Sequence, residues 1–341
     1  MTQHVNRQWL LVRWPQGIPQ LGDYEKVTGA VPEPGAGQVL VQVLYAAMDP
    51  AIRGFMNAAG NYASPIPLGD PVKGFILGKI VRSNTPSTRE GEIVFGIGAW
   101  SDFVVGAPQQ FHTVPVNLGY ELPAYTHVLG TIGLTGFYGL IDIAKIAAGD
   151  CVLVSSAAGA VGSLVGQMAK IQGAARVIGI AGGAEKCRKA VERYGYDTCI
   201  DYKATADLSA AIGEALPKGF DVHFENVGGP VLEAALDHLA KNARIALCGM
   251  ISGYTAPQPG PSNLWNLVVN TALIHAFRVT DILGQHERTA RMLADIDGWI
   301  RQGKLVWGVD VREGFDAIPE SFNCLFTGAH HDRLVVKIAE A

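Results

Sequence analysis

The chain has 341 residues, 48% hydrophobic and 17% charged, with a formal net charge of −4. That apolar content supports a large core and excludes disorder, and the length points to two domains. No lysine or arginine block is present to track a phosphate backbone, which argues against nucleic acid as a partner. No run reaches the roughly 18 uncharged apolar residues of a membrane helix, and the first apolar segment is too short for a signal peptide. The five cysteines, Cys151, Cys187, Cys199, Cys248 and Cys324, have no C-x-x-C or similar ligand spacing. Reduced, buried thiols in a cytoplasmic protein are therefore expected.

The first third of the chain predicts short strands over 38–47, 74–81 and 91–107, separated by turns such as Pro32-Glu33-Pro34-Gly35. This is β-barrel-like material. From about Pro123 an apolar stretch predicts one helix ending near Gly149. Strands are then expected at 151–155, 176–180, 198–200, 221–225, 243–248 and 273–276, with helices between them, for example 185–194 and 230–239. That alternation predicts a full doubly wound parallel sheet. A later helix carries Met292, Leu293, Ile296, Trp299 and Ile300 on one face. The chain returns to strands over 304–314 and 333–340, around a helix at 315–326. This last segment is expected to rejoin the first domain, so that the α/β domain is an insertion in a discontinuous one.

The most telling segment is CVLVSSAAGAVG, from Cys151 to Gly162. A buried apolar strand runs into Ala157, Gly159 and Gly162 at the spacing of the dinucleotide fingerprint G-x-G-x-x-G, and a helical repeat (Val161, Leu164, Val165, Met168) follows. Gly159 lets backbone approach a pyrophosphate, Gly162 lets the helix lie on the strand, and the helix N-terminus favours an anion. In NAD-binding units an acidic residue about 20 positions on takes the ribose hydroxyls. Here Gly182 and Gly183 hold that place, Lys186 follows, and Tyr202 comes after the third strand, which favours a 2′-phosphate and hence NADPH. The alternative is a solvated Lys186 with Glu185 on the ribose.

The chain resembles the zinc-independent medium-chain dehydrogenases/reductases of the prostaglandin, alkenal and curcumin reductase group over about residues 6–338. The motifs carrying the resemblance are PEPGAGQVLVQVLY, MDPAIRG, GTIGLTGFYGL, SSAAGAVGSLVGQMAK, FENVGG and ALCGMISGY. It implies a Rossmann NADP-binding domain at 125–305 inserted in a discontinuous GroES-like β-barrel catalytic domain at 1–124 and 306–341, and a homodimer. It also implies an NADPH site lined by Gly159, Ala160, Val161, Gly162, Gly182, Lys186, Tyr202, Asn226, Cys248, Gly249, Ile251, Ser252, Tyr254, Phe277, Arg278 and Val279. Read alone, Asn226 would be a turn residue and Phe277 core. The sequence departs from the group twice. Its Asp-Pro-Tyr is Asp49-Pro50-Ala51 here, and its Asn-x-Gly-Lys is His330-His331-Asp332-Arg333, which puts His330 where an asparagine reaches the cofactor.

No three-ligand zinc set is visible: the cysteine position of metal-bearing relatives reads YAAMDPA, and His127 with Glu121 and the pair His330-His331 lack supporting ligands. Metal-free hydride addition to an alkene conjugated with a ketone or aldehyde is the reaction implied. Charge then gathers on the carbonyl oxygen and needs a donor. Tyr254 and Tyr62 match the group's positions for one, although Tyr62 also reads as an exposed loop tyrosine, and Asp49 reads as a turn cap. The small-molecule substrate could instead be a quinone, and a non-catalytic NADPH-binding sensor is the alternative from another class.

Overall fold

In the computed structural model residues 5–58 and 64–341 are described, and the chain divides into two units, residues 127–308 and residues 1–126 with 309–341. Unit 127–308 holds six strands: β1 (Cys151–Ser155), β2 (Arg176–Ala181), β3 (Thr198–Asp201), β4 (Phe220–Glu225), β5 (Leu239–Leu247) and β6 (Leu273–Ala276). They pair in parallel in the order β3-β2-β1-β4-β5-β6. This is the doubly wound order, with its switch point between β1 and β4. Helices α1 (Gly162–Ile171), α2 (Ala184–Glu192), α3 (Leu208–Ala215), α4 (Gly229–Leu236), α5 (Trp265–Asn270) and α6 (His286–Arg301) follow the strands. Val152, Leu153 and Val154 are fully buried, as a central strand covered on both faces must be. The strand β5 starts earlier than its apolar run. Lys241 and Asn242 are exposed and Asn242 has φ +62°, so the pattern is broken while Leu239 still pairs with Phe220.

Two expectations fail here for physical reasons. The apolar stretch after Pro123 is not one helix. It forms a 3-10 turn (Leu122–Thr126), an α-helix (Thr131–Phe137) and a π-helical segment (Tyr138–Ile143). A Cβ on Gly133 would stand 1.9 Å from the Val128 carbonyl oxygen, and one on Gly139 2.3 Å from the Phe277 ring. Gly130 takes an extended conformation (φ −128°, ψ −157°) that separates the turn from the α-helix, and the Phe277 ring packs against Gly139 within the π-helical segment. The strand expected over 304–314 shortens to Val309–Glu313. Gln167 explains the loss: its side chain donates to the Val306 carbonyl and accepts the Val306 N–H, both at 2.8 Å, leaving that residue nothing for a ladder.

In the other unit, Val39–Ala47 pairs antiparallel with Lys73–Ser83, Phe103–Gly106 and Arg333–Lys337 within a seven-stranded sheet. The last of these pairings returns the C-terminal segment to the N-terminal sheet. Its core gathers Trp9, Trp100, Phe315 and Phe322. The antiparallel pair Val5–Leu11 and Tyr24–Ala30 was not legible in the sequence, because neither strand alternates cleanly between buried and exposed residues.

Candidate functional site

The residues singled out in unit 127–308 all lie just beyond the carboxyl ends of the six strands. At the end of β1, Ser156 turns the chain with φ +54° and its carbonyl accepts the Gly159 N–H at 2.9 Å. A Cβ on Gly159 would meet Ser156 Oγ at 2.7 Å, and one on Gly162 would meet the Ser156 carbonyl oxygen at 2.2 Å. Real Cβ atoms do not approach backbone so closely, so Gly162 requires glycine, whereas a Cβ at Gly159 would need the Ser156 side chain to turn away. Alanine in the fingerprint's first place is tolerated because β2 supplies Gly179 opposite, where a Cβ would stand 2.6 Å from that of Ala157. Ala160 is anchored through its carbonyl, which accepts from His127 Nε2 at 2.9 Å and Ser163 Oγ at 3.2 Å. Val161 then leads into α1, whose N-terminus has no side-chain cap. Those amides and the positive dipole end suit a phosphate.

After β2, Gly182 lies under the half-exposed Tyr202, whose hydroxyl would be 2.9 Å from a Cβ there. The acid that ends β3 is committed elsewhere: Asp201 Oδ1 accepts the N–H groups of Gly183 (2.7 Å) and Lys203 (3.0 Å). Lys186 sits in the first turn of α2. Burial holds its pKa below the ordinary lysine value, with the charges of Lys203 and Lys189 adding to the effect against Glu185. Among the described residues neither Lys186 nor Lys203 forms an ion pair, and the charge of Glu185 only partly offsets the lysines around Lys186.

Across the switch point, Asn226 donates its N–H to Ser155 Oγ (2.7 Å) and its side-chain amide to the Ser155 carbonyl (2.8 Å). The loop after β5 is tied to the same region. Cys248 and Gly249 donate to the Glu225 carbonyl (2.9 and 3.2 Å), Ile251 to that of Asn226 (3.2 Å) and Ser252 to that of Val227 (3.0 Å). The 3-10 turn Ile251–Gly253 then presents the half-buried Tyr254, its hydroxyl over Gly249 at 3.5 Å from where a Cβ would be. The loop from Ala256 to Trp265 folds back toward α4, with Asn263 donating to the Glu233 carbonyl at 2.8 Å. Beyond β6, the Phe277 ring is core, edge-on to Phe224 and Tyr138, so only its backbone faces the strand ends. Arg278 pairs with Asp281 at 2.9 Å, and Val279 opens the short helix Thr280–Leu283.

His330 belongs to the other unit. Its Nδ1 donates to the Cys324 carbonyl at 2.9 Å, near the end of helix Ile318–Thr327. Asp332 has φ +49°, a left-handed conformation at the position where the resembling group has glycine. Asp49 accepts the Ala51 N–H at 2.9 Å, as a turn cap does, and lies 3.5 Å from the buried Arg333. Tyr62 lies outside the described residues. Among the described residues no three His, Cys, Asp or Glu side chains converge as a metal site would require.

Residues 7–114 match the family described as the N-terminal domain of oxidoreductase, and residues 160–296 the family described as zinc-binding dehydrogenase. NADPH-dependent curcumin reductase of Escherichia coli is 34% identical over 98% of this chain and 97% of its own length. The NADP(+)-dependent 2-alkenal reductase of Nicotiana tabacum is 34% identical over 99% of both. CurA of Vibrio vulnificus, crystallised with NADPH, superposes with a TM-score of 0.90 at 33% identity, covering 98% of this chain and all of that one. The chain belongs to the medium-chain dehydrogenase/reductase family, in the curcumin, alkenal and prostaglandin reductase group. It is an NADP-dependent oxidoreductase.

The fold brings together a buried pair that no sequence motif marks. His223 Nε2 lies 2.5 Å from Glu225 Oε2, and both side chains are fully buried in β4. His223 Nδ1 donates to the Leu153 carbonyl at 3.0 Å. Glu225 Oε1 accepts the N–H groups of Val227 and Gly228, the latter at 2.6 Å. Glu225 therefore holds the loop bearing Asn226 through its carboxylate and the loop bearing Tyr254 through its carbonyl. Alternation was the available signal, since two polar residues at i and i+2 of a strand share one face.

Proposed function

We propose that the chain reduces the carbon–carbon double bond of α,β-unsaturated ketones or aldehydes with NADPH and without a metal. The observation that carries this reading is that one sheet edge holds the glycine cradle, the unpaired lysines and a tyrosine hydroxyl. The cradle at 159–162, which a Cβ would fill, fits a pyrophosphate. Lys186 and Tyr202 fit a 2′-phosphate, and Asn226, Cys248, Gly249, Ile251, Ser252 and the backbone of Phe277, Arg278 and Val279 line the rest of the dinucleotide. Bound NADPH supplies a hydride. Tyr254 donates a hydrogen bond to the substrate carbonyl oxygen, where negative charge accumulates as the β-carbon is reduced. Tyr62 is assigned a second contact with the substrate oxygen, and His330 the role of the group's asparagine.

The test is NADPH oxidation with a simple enone, an enal and a quinone, followed by product identification. The saturated carbonyl compound is expected. An allylic alcohol would mean that hydride reaches the carbonyl carbon and would overturn the reading, while turnover of the quinone alone would move the protein to quinone reduction. The donor set predicts that prolonged chelation leaves the rate intact and that elemental analysis finds no stoichiometric zinc. Zinc-restored activity after chelation would show a ligand set assembled from distant residues.

Cofactor choice gives a separate prediction. NADPH should bind at least about tenfold more tightly than NADH, a difference of about 1.4 kcal/mol, and Lys186→Ala should remove most of it. Titration calorimetry with both dinucleotides measures this, and equal affinities would sink the assignment of Lys186.

A second copy of the chain is assigned to the edge of the parallel sheet. β6 is one of the two edge strands, and Trp265 (71% exposed), Val268 (60%), Val269 and Leu273 are exposed on it and on α5. An apolar patch beside an unpaired strand edge marks an association surface. Light scattering should give twice the chain mass, and a monomer would refute the assignment. Free cysteines suit the reducing cytoplasm to which the reading assigns the protein.

A further inference from the structure

Cys187 and Cys199 take no part in the reaction above, and their sulfur atoms are 2.9 Å apart. Cys187 closes the first turn of α2, its N–H donating to the Gly183 carbonyl at 3.1 Å. Cys199 stands in β3. Small residues surround the pair: Ala158 and Ala181 pack with it, and a Cβ on Gly179 would still be 3.3 Å from the Cys199 sulfur. The Cys199 thiol donates to the Cys187 sulfur. That bond outweighs burial and lowers the pKa of Cys187, while the same bond, with burial, raises that of Cys199. The positive end of α2 also favours a thiolate at Cys187.

A disulfide bond is about 2.05 Å long, so the two sulfurs need to close by roughly 0.9 Å. We propose that Cys187 and Cys199 form an oxidisable dithiol that a peroxide converts to a disulfide, and that this link weakens cofactor binding at the adjoining loop. The Cys187 thiolate attacks one peroxide oxygen and the O–O bond breaks. Hydroxide leaves and takes up a proton as water, giving a sulfenic acid at Cys187. The Cys199 sulfur then attacks the Cys187 sulfur; the S–S bond forms and the S–O bond breaks. A second water departs with the Cys199 proton, and the sulfurs have given two electrons to the peroxide.

The link would fasten α2 to β3 between the two groups assigned to the 2′-phosphate. Lys186 immediately precedes Cys187, and Tyr202 lies three residues beyond Cys199. Asp201 already ties this end of β3 to the Gly183 N–H at 2.7 Å. Drawing the first turn of α2 onto β3 shifts Lys186 relative to Tyr202. This effect on the cofactor rests on the assignment of Lys186 and Tyr202 above, whereas the cross-link does not.

The experiment treats the reduced full chain with hydrogen peroxide, alkylates the remaining thiols and maps the peptides. A peptide pair joined through Cys187 and Cys199 is expected, reversed by dithiothreitol and absent from Cys187→Ser and Cys199→Ser. NADPH titrated by fluorescence should bind about fivefold or more weakly to the oxidised protein than to the reduced one. In Cys199→Ser, peroxide should leave the affinity unchanged. Unlinked cysteines after peroxide, a link from either to another cysteine, or Cys187 driven to sulfinic acid with Cys199 still free would each overturn the proposal. A correct link with unchanged NADPH affinity would overturn its coupling to the cofactor. Reduced protein that binds no NADPH would instead count against the cofactor assignment, and the peptide map would still decide the link.

Discussion

Replacing Tyr254 by phenylalanine should slow enone reduction about a hundred- to thousandfold while NADPH affinity stays nearly constant. The reasoning separates the position of the ring from the work of its hydroxyl. The turn before it is fixed by backbone hydrogen bonds from Ile251 to Asn226, Ser252 to Val227, Gly253 to Met250 and Tyr254 to Ile251, none of which uses the phenol. Phenylalanine therefore keeps the turn in place and removes the hydroxyl. Losing one donor to a developing oxyanion typically costs about 2.7–4 kcal/mol in the transition state. The loss is smaller if a cofactor ribose hydroxyl shares the oxyanion. Turnover with an enone and a separate NADPH titration measure the two effects. A parallel loss of both would show that the tyrosine holds the cofactor and does not serve the substrate oxygen.

The parts of this site legible in the sequence are those made by backbone chemistry close along the chain. A buried strand, two glycines in the turn, of which Gly162 cannot carry a Cβ, and an uncapped helix start all fall within the dozen residues from Cys151 to Gly162. Their spacing was therefore readable without knowing the fold. The missing acid after β2 was readable for the same reason, although Glu185 remains the alternative contact for the ribose. What escaped depends on residues far apart. The long apolar stretch is interrupted at the extended Gly130 and carries a π-helical segment in which Gly139 meets the distant Phe277 ring, and Val306 leaves its expected strand because Gln167 satisfies its backbone. The Cys187–Cys199 contact arises only when β3 pairs with β2 and α2 packs beside them, so cysteine spacing gave no hint of it. Asp332 adopts a left-handed backbone, φ +49°, at the position where the resembling group has glycine.

The pair beneath the site carries the largest expected stability effect. Burial alone would raise the pKa of Glu225, but the charge of His223, its hydrogen bond, and the Gly228 and Val227 N–H groups outweigh burial and hold the carboxyl below its usual value. A carboxyl depressed in the folded state stabilises the fold above its unfolded pKa, about 4.3 for glutamate. That stability is lost as pH falls from there through the lower folded value. His223→Ala would leave a buried carboxylate without its partner, and breaking such a pair costs about 3–5 kcal/mol. Glu225→Gln should cost less, because an amide oxygen can still accept from Val227 and Gly228 while its nitrogen donates toward His223. It should also flatten the acid limb of the stability curve, since the titrating group is gone. Urea unfolding at neutral pH and at pH about 4 measures both effects. The decisive measurement is the double variant with alanine at both positions. If the two residues act as one ion pair, the double variant should cost clearly less than the two single substitutions added together, because the orphaned charge is removed with its partner. Simple additivity would show that each residue is anchored by its backbone contacts alone, and Glu225 would then hold the Asn226 and Tyr254 loops without help from the histidine.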